Sequence, residues 1–546
     1  MRIRCLCKEE WLLALICCFS FFMNNQVLLP DIMESRNLVT AYEMAYEGNW
    51  LLPTMNGEWR LEKPPLPTWI AACVEIVFPD QLSIQRDMAG LFAVLLVVFF
   101  YKLARLVYGD KRFAFLSAVI LCTCHSVALM GRTVSWDIYC HAFMMGAIYY
   151  LTKIFRSDTG HWKNACLAGL CMGLSFMSKG PVSFYTLLLP FLFAYGCVFK
   201  FNLDANKAKV LLPMVIIGSL IATGWYVYLY VEQGEVLKAV INKETTSWIS
   251  YNVRPWYYYW NFFLETGIWS LLSITSLFLP LCFKGGSKRK EYFFFGVWLV
   301  VTVLLLSLFP EKKKRYLFPA MIPASFLMGY LLLLWENRLC LSEIFSLNKF
   351  FFRLNAMALA VMTMLLPFMV FYWVYRPGYM SLGALGAVAC LSMLFVFFFL
   401  FSALRLRSSL FILGGALLFE TATVFLPSTR CLVNNPERKS IAELRQMETL
   451  NNLPFHYNQR DHLRIELVYA ARKKIRPLDT NCIDSVRKAL PCVLLTHGRV
   501  GEELPPSVWE KADSTYIGRY DDNCWPRKNR RYSESFIYHV TLLKEK

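Results

Sequence analysis

The run AGLFAVLLVVFFY, Ala89 to Tyr101, contains no charged and no amide side chain. With its flanks it extends over residues 87–107. About 20 apolar residues in a helix rise about 30 Å, the thickness of a bilayer's hydrocarbon core. Working outward, similar runs recur along the chain. Thirteen candidate spans read as 11–29, 87–107, 113–130, 135–154, 163–179, 180–198, 209–230, 258–282, 291–309, 314–335, 353–375, 380–403 and 408–427. The 546 residues are 56% hydrophobic, with a mean hydropathy of +0.40. Soluble domains are nearer 45–50% apolar. Charged residues make up 18% and gather in short clusters between the runs. This patterning predicts a polytopic α-helical membrane protein and excludes a soluble globular one.

The net charge of +18 does not point to nucleic acid, because the basic residues are divided among many short loops. Anionic headgroups and the positive-inside rule account for the excess. Arg2, Arg4 and Lys8 precede an apolar run from Trp11 to Met23. No small-x-small cleavage site follows, so the run reads as an uncleaved first helix. With the N-terminus in the cytoplasm, the predicted inner loops carry Arg105 and Lys111, Lys153 and Arg156, Lys200 and Lys207, Lys288 to Lys290, and Arg405 and Arg407. Every inner loop is then basic. An odd number of spans places the tail outside. The C-terminal domain is then expected to be extracytoplasmic.

Two domains follow: a membrane domain over residues 1–427, with long outer loops at 30–86 and 231–257, and a soluble α/β domain over 428–546. The tail mixes charges of both signs with strand-like stretches at 493–496 and 536–541 and a helical pattern at 440–450. Of 18 cysteines, most lie in apolar runs; Cys431, Cys482, Cys492 and Cys524 lie in the tail, where an oxidising compartment would permit one or two disulfides. In the first outer loop, Leu38, Ala41, Tyr42, Ala45 and Tyr46 mark one face of a helix that stops at Gly48-Asn49. That face suits the membrane interface or packing against the bundle.

Polar residues collect in the outer loops. Arg132, Lys179, Arg254 and the run Lys312 to Arg315 break the positive-inside pattern. An anionic ligand such as phosphate would explain them, as would headgroup contact by snorkelling side chains. Asp31 and Glu34 sit just past the first span. They suit a general base, or a helix start favoured by the dipole. Glu62-Lys63-Pro64-Pro65 presents two charges on a stiff, extended backbone. Asp137 stands at the mouth of the fourth span, as a functional acid or as a partner of Arg132. A divalent cation could be held by Glu62 and nearby acids, although no compact ligand set is visible.

Together, Glu34-x-Arg36, Glu43-Met44, Gly48-x-Trp50, Pro53, Asn56-Gly57 and Glu62-Lys63-Pro64-Pro65-Leu66 resemble the first outer loop of the bacterial aminoarabinose lipid A transferases. These are GT-C glycosyltransferases related to the protein O-mannosyltransferases. Gly131-Arg132…Asp137, Ser178-Lys179-Gly180-Pro181 and Lys314-Arg315-Tyr316-Leu317-x-Pro319 extend the resemblance over residues 1 to about 427. It implies a GT-C fold, a polyprenyl-phosphate sugar donor, and transfer at the outer face of the inner membrane to a lipid A-like lipid, a protein or a glycan. It implies a donor-phosphate site among Arg36, Lys63, Arg132, Lys179, Arg254, Lys314, Arg315 and Tyr316, supported by Glu62 and Asp137. It implies catalytic work by Asp31 or Glu34, with inversion at the anomeric carbon. In the family an Asp directly precedes the first-loop Glu; here that position is Met33 and the nearest acid is Asp31. The competing expectation is a lipid or glycolipid transporter without transfer chemistry. Transporters often carry internal repeats, and none is visible here.

Overall fold

The computed structural model describes residues 2–157, 159–201, 204–282, 288–339, 347–506, 512–527 and 529–546. These form two compact units: Met1–Asn25, Leu61–Pro67 and Gln81–Pro427; and Gln26–Arg60, Thr68–Asp80 and Ser428–Lys546. Most of the predicted first outer loop thus folds in one unit with the tail.

The first unit is helical. Among the described residues, seven helices are long and apolar enough to cross a membrane: Leu82–Tyr108, Ala205–Thr246, Trp256–Cys282, Arg289–Leu308, Lys314–Asn337, Leu347–Tyr375 and Leu382–Arg405. The span predicted at 113–130 is two pieces, Lys111–Cys122 and His125–Met130. The outer loop predicted at 231–257 is helical as far as Ser250, with a backbone break at Gln233 (φ −142°, ψ 46°). Glu235, Lys238, Lys243 and Glu244 end the apolar run, but these residue types are good helix formers. Hydropathy marks where lipid ends, and the helix continues beyond it.

Helices Trp136–Arg156 and His161–Lys179 pack side by side. The second also presses closely on Ala205–Ser250. A Cβ at Gly169 would stand 2.4 Å from the Met214 carbonyl oxygen, and one at Gly173 would stand 2.6 Å from Ile221 Cβ. Two small residues four apart let the backbones approach. This contact fixes the height at which the helix delivers Lys179.

The second unit is an α/β fold. Strands β1 (Thr54–Met55) and β2 (Glu58–Trp59) form a hairpin whose turn is Asn56-Gly57. Both residues have positive φ, 58° and 80°, as a primed hairpin turn requires. The tail supplies β3 (Phe455–Asn458), β4 (Ile475–Leu478), β5 (Cys492–Thr496), β6 (Ala512–Asp521) and β7 (Ile537–Glu545). They form one sheet in the order β4-β3-β5-β7-β6. β3 is parallel to β4 and β5; β7 is antiparallel to β5 and β6. Central β5 is buried along its whole length, so it reads as a continuous apolar run with no alternation. One sheet face packs Phe455, Val493, Leu495 and Val540 against Leu467, Val468 and Ala471. The stretch predicted as a helix at 440–450 is a pair of 3-10 turns, Ile441–Gln446 and Glu448–Leu450. The thiols of Cys431, Cys482, Cys492 and Cys524 are all free.

The predicted first-loop helix is Ile32–Glu47, closed by Gly48 at φ 79°. Its apolar face meets helix Ile465–Ala471, and Val39 joins the sheet's core. Glu43 accepts from the Thr54 hydroxyl at 2.6 Å and from Gly57 N–H at 3.2 Å, tying the hairpin to this helix. Burial pushes the Glu43 carboxyl up from its ordinary value, against the pull of those donors. Asn56 works as an extra strand residue at the sheet's edge. Its amide donates to the Ile475 carbonyl and its oxygen accepts from Ile475 N–H, both at 2.8 Å. Asn56→Ala removes two hydrogen bonds worth about 1 kcal/mol each and adds the left-handed backbone cost of about 1 kcal/mol. Thermal unfolding of the full chain should show a loss of about 3 kcal/mol. An unchanged transition would mean that this edge contact contributes nothing.

Candidate active site in the helical unit

Asp137 lies in the first turn of Trp136–Arg156, and Lys179 is the last residue of His161–Lys179. An acid at a helix start and a cation at a helix end are both favoured by the backbone dipoles. Side by side, the two helices bring these ends together. Lys179 Nζ donates to Asp137 Oδ1 with both residues buried, at 9% and 3% exposure. Asp137 therefore pairs with Lys179 and not with Arg132. Arg132 donates to the carbonyls of Ser20 at 2.6 Å and Phe19 at 2.9 Å, so its guanidinium holds the end of the first helix.

Arg315 acts electrostatically on both members of the buried pair. Its guanidinium is half-buried and makes no hydrogen bond or ion pair among the described residues. Lys179 Nζ lies 5.4 Å from the Tyr316 ring centroid, and Lys313 Nζ lies 5.7 Å from it. The Tyr316 hydroxyl donates to Glu311 at 3.4 Å, and Glu311 also pairs with Lys313. Lys314 points outward.

Two segments are stitched together beneath this cluster. Asn252 donates to the Lys312 carbonyl at 2.6 Å, Arg254 N–H donates to the Pro310 carbonyl at 3.3 Å, and Lys313 N–H donates to the Tyr259 hydroxyl at 2.9 Å. The Arg254 backbone is fixed in this way, while its side chain is exposed. Lys63 pairs with Glu244 at 3.1 Å, and Glu62 faces Lys243 at 3.8 Å, so the proline-stiffened segment docks on the extension of helix Ala205–Ser250. Among the described residues no group of three His, Cys, Asp or Glu side chains could hold a metal ion.

Asp31, Glu34 and Arg36 belong to the other unit. Asp31 caps helix Ile32–Glu47, its carboxylate accepting from Glu34 N–H at 2.7 Å. Glu34 is fully buried in the first turn. The Arg36 carbonyl accepts from Arg60 at 2.6 Å.

Sequence reasoning missed His141, Glu244, Glu311 and Tyr259. His141 follows Asp137 by four residues, which places both on one helix face; that spacing was the available signal. Its Nδ1 bonds the Asp137 carbonyl at 2.7 Å, so Nδ1 carries the proton. Nε2 is then a buried acceptor with no partner among the described residues. Glu244 had no signal, because it falls in what read as a loop.

The chain has the fold of ArnT. It superposes on the crystal structure of ArnT from Cupriavidus metallidurans bound to undecaprenyl phosphate with a TM-score of 0.72 at 16% identity, covering 98% of this chain and 97% of that one. Residues 18–236 match the family model described as dolichyl-phosphate-mannose-protein mannosyltransferase. The undecaprenyl phosphate-alpha-4-amino-4-deoxy-L-arabinose arabinosyl transferase 1 of Pseudomonas fluorescens (strain Pf0-1) is 24% identical over 60% of this chain and 59% of its own. An uncharacterized protein of Aquifex aeolicus is 28% identical over 57% of this chain and 62% of its own. The chain thus matches about three fifths of the length of these two relatives.

Proposed function

We propose that this chain is an integral-membrane glycosyltransferase that moves a sugar from a polyprenyl-phosphate donor to an acceptor: a lipid A-like lipid, a protein or a glycan. The observation that carries this reading is the half-buried Arg315 guanidinium, unpaired among the described residues, beside the buried Asp137–Lys179 pair. A fixed cation with free donors, held where helix ends meet, suits a phosphate that gains charge as it leaves. The ArnT fold and the relatives' names support the donor class. No observation favours a transporter.

In the proposed reaction the bond between the sugar's anomeric carbon and the phosphate oxygen breaks. Polyprenyl phosphate leaves with the bonding pair. The acceptor oxygen forms the new bond from the opposite face, with inversion. Arg315 and Lys63 receive the departing charge, with Arg36, Arg132, Lys179, Arg254, Lys314 and Tyr316 the remaining candidates for donor contact. Lys63 meets the donor in exchange for Glu244. A carboxylate, Asp31 or Glu34, orients the acceptor and takes its proton; Glu62 and Asp137 support the site. The thirteen-span count, a cytoplasmic N-terminus and a periplasmic second unit complete the proposal.

The test is a transfer assay on purified protein with polyprenyl-phosphate sugars and the three acceptor classes. Asp31→Asn, Glu34→Gln and Lys63→Ala are compared with wild type. Loss of one general base is expected to lower the rate about 10²–10⁴-fold, and the carboxylate that does so is the one that acts on the acceptor. Full activity in all three folded variants would overturn the mechanism.

A further inference from the structure

The antiparallel helix pair that brings Asp137 and Lys179 together also has an opposite end. Helix His161–Lys179 has 19 residues, so its N-terminus lies about 27 Å from Lys179. There the structure holds a cavity of about 350 Å³, lined by Lys102, Lys153, Lys163, Tyr149, Gly160 and Asn164 among others. None of these features serves the site described above.

We infer that this cavity is a second binding site, for a phosphate-bearing anion, at the membrane face opposite the Asp137–Lys179 pair. Three independent observations converge on it. The first is charge. Lys102, Lys153 and Lys163 come from three helices, and none makes an ion pair among the described residues. Among the described residues, Lys102 and Lys153 rest on the rings of Phe99 and Tyr149, with their ammonium groups 5.9 and 5.8 Å from the centroids. The connection between the helices adds one acid, Asp158, against Lys153, Arg156 and Lys163, so the local sequence stays positive.

The second is a buried amide. Asn164 is only 5% exposed, lines the cavity, and its side chain makes no hydrogen bond among the described residues. Its amide offers two N–H donors to a ligand oxygen in the cavity. The third is the backbone. Gly160, at φ 73°, starts helix His161–Lys179, and no side chain caps it. Free N–H groups at a helix start favour an anion. Snorkelling lysines at a helix end would need neither the concavity nor the amide. The volume admits a phosphate together with the glycerol or sugar that carries it.

Two sources share this chemistry: an anionic phospholipid headgroup and a soluble phosphate. Native mass spectrometry of the full chain in neutral detergent distinguishes them, with phosphatidylglycerol, phosphatidylcholine and glycerol 3-phosphate as probes. Wild type should retain one phosphatidylglycerol in preference to phosphatidylcholine if the headgroup is the ligand. It should bind glycerol 3-phosphate saturably if the soluble anion is. The triple variant Lys102→Gln, Lys153→Gln, Lys163→Gln should bind that probe about a hundredfold more weakly, since each lysine contributes roughly a fivefold factor. Lys163→Gln alone, at an exposed position, should cost roughly fivefold, and it guards against misfolding of the triple variant. Equal binding of the probe by wild type and Lys163→Gln, or no saturable binding of either anion, would overturn the inference.

Discussion

Arg315→Ala is expected to lower kcat/KM for the donor by about 10²–10³-fold, the usual effect of removing one preorganised group that meets developing charge. Arg315 carries this expectation because its guanidinium is half-buried and unpaired among the described residues, while three other cations of the helical unit already have partners. Lys313 is held by Glu311, Lys179 by Asp137 and Lys63 by Glu244. Arg315→Lys keeps the charge but loses the planar fork, so it should recover only part of the rate. Lys314→Ala, one residue away and exposed, should cost less than Arg315→Ala, because water screens an exposed charge. The measurement is the transfer assay with a polyprenyl-phosphate sugar, alongside the melting temperature of each variant. Wild-type kcat/KM in a folded Arg315→Ala would remove the observation on which the proposed function rests.

The helical architecture was legible because apolar runs long enough to span a bilayer leave few alternatives. Its limits were equally physical. Hydropathy could not see that Glu235 to Ser250 continues a helix, since good helix formers need not be apolar. It also could not see that helix Ile32–Glu47 packs against the tail's helix Ile465–Ala471, a partner more than 400 residues away. The resemblance mixed two kinds of residue. Glu43, Gly48 and Asn56-Gly57 hold the hairpin and close the helix, so their pattern reports backbone geometry. Lys63, Asp137, Lys179 and Arg315 are the charges gathered in the helical unit. Only packing separates the groups, and for that reason Asp137 read as a functional acid or a partner of Arg132, and its pairing with Lys179 emerged only once the helix ends were placed.

The largest stability effect is expected at that pair. Asp137→Ala would strand the Lys179 ammonium in a buried position beside the Arg315 charge, and breaking a buried pair in this way costs about 3–5 kcal/mol. Lys179→Ala would strand the Asp137 carboxylate less severely, because Arg315 remains to face it. The double variant Asp137→Asn, Lys179→Gln removes both charges and keeps the shapes. It should melt much closer to wild type than Asp137→Ala does, since a neutral isostere of a buried pair is often no less stable. Activity separates a scaffold from a working pair. Should the double variant regain stability and also bind donor normally, the pair only holds the helix ends together. Should stability return without donor binding, the charges of the pair are themselves needed at the donor site. Single variants that melt like wild type would mean that water reaches the pair, and the buried charge centre around which the site is drawn would not exist.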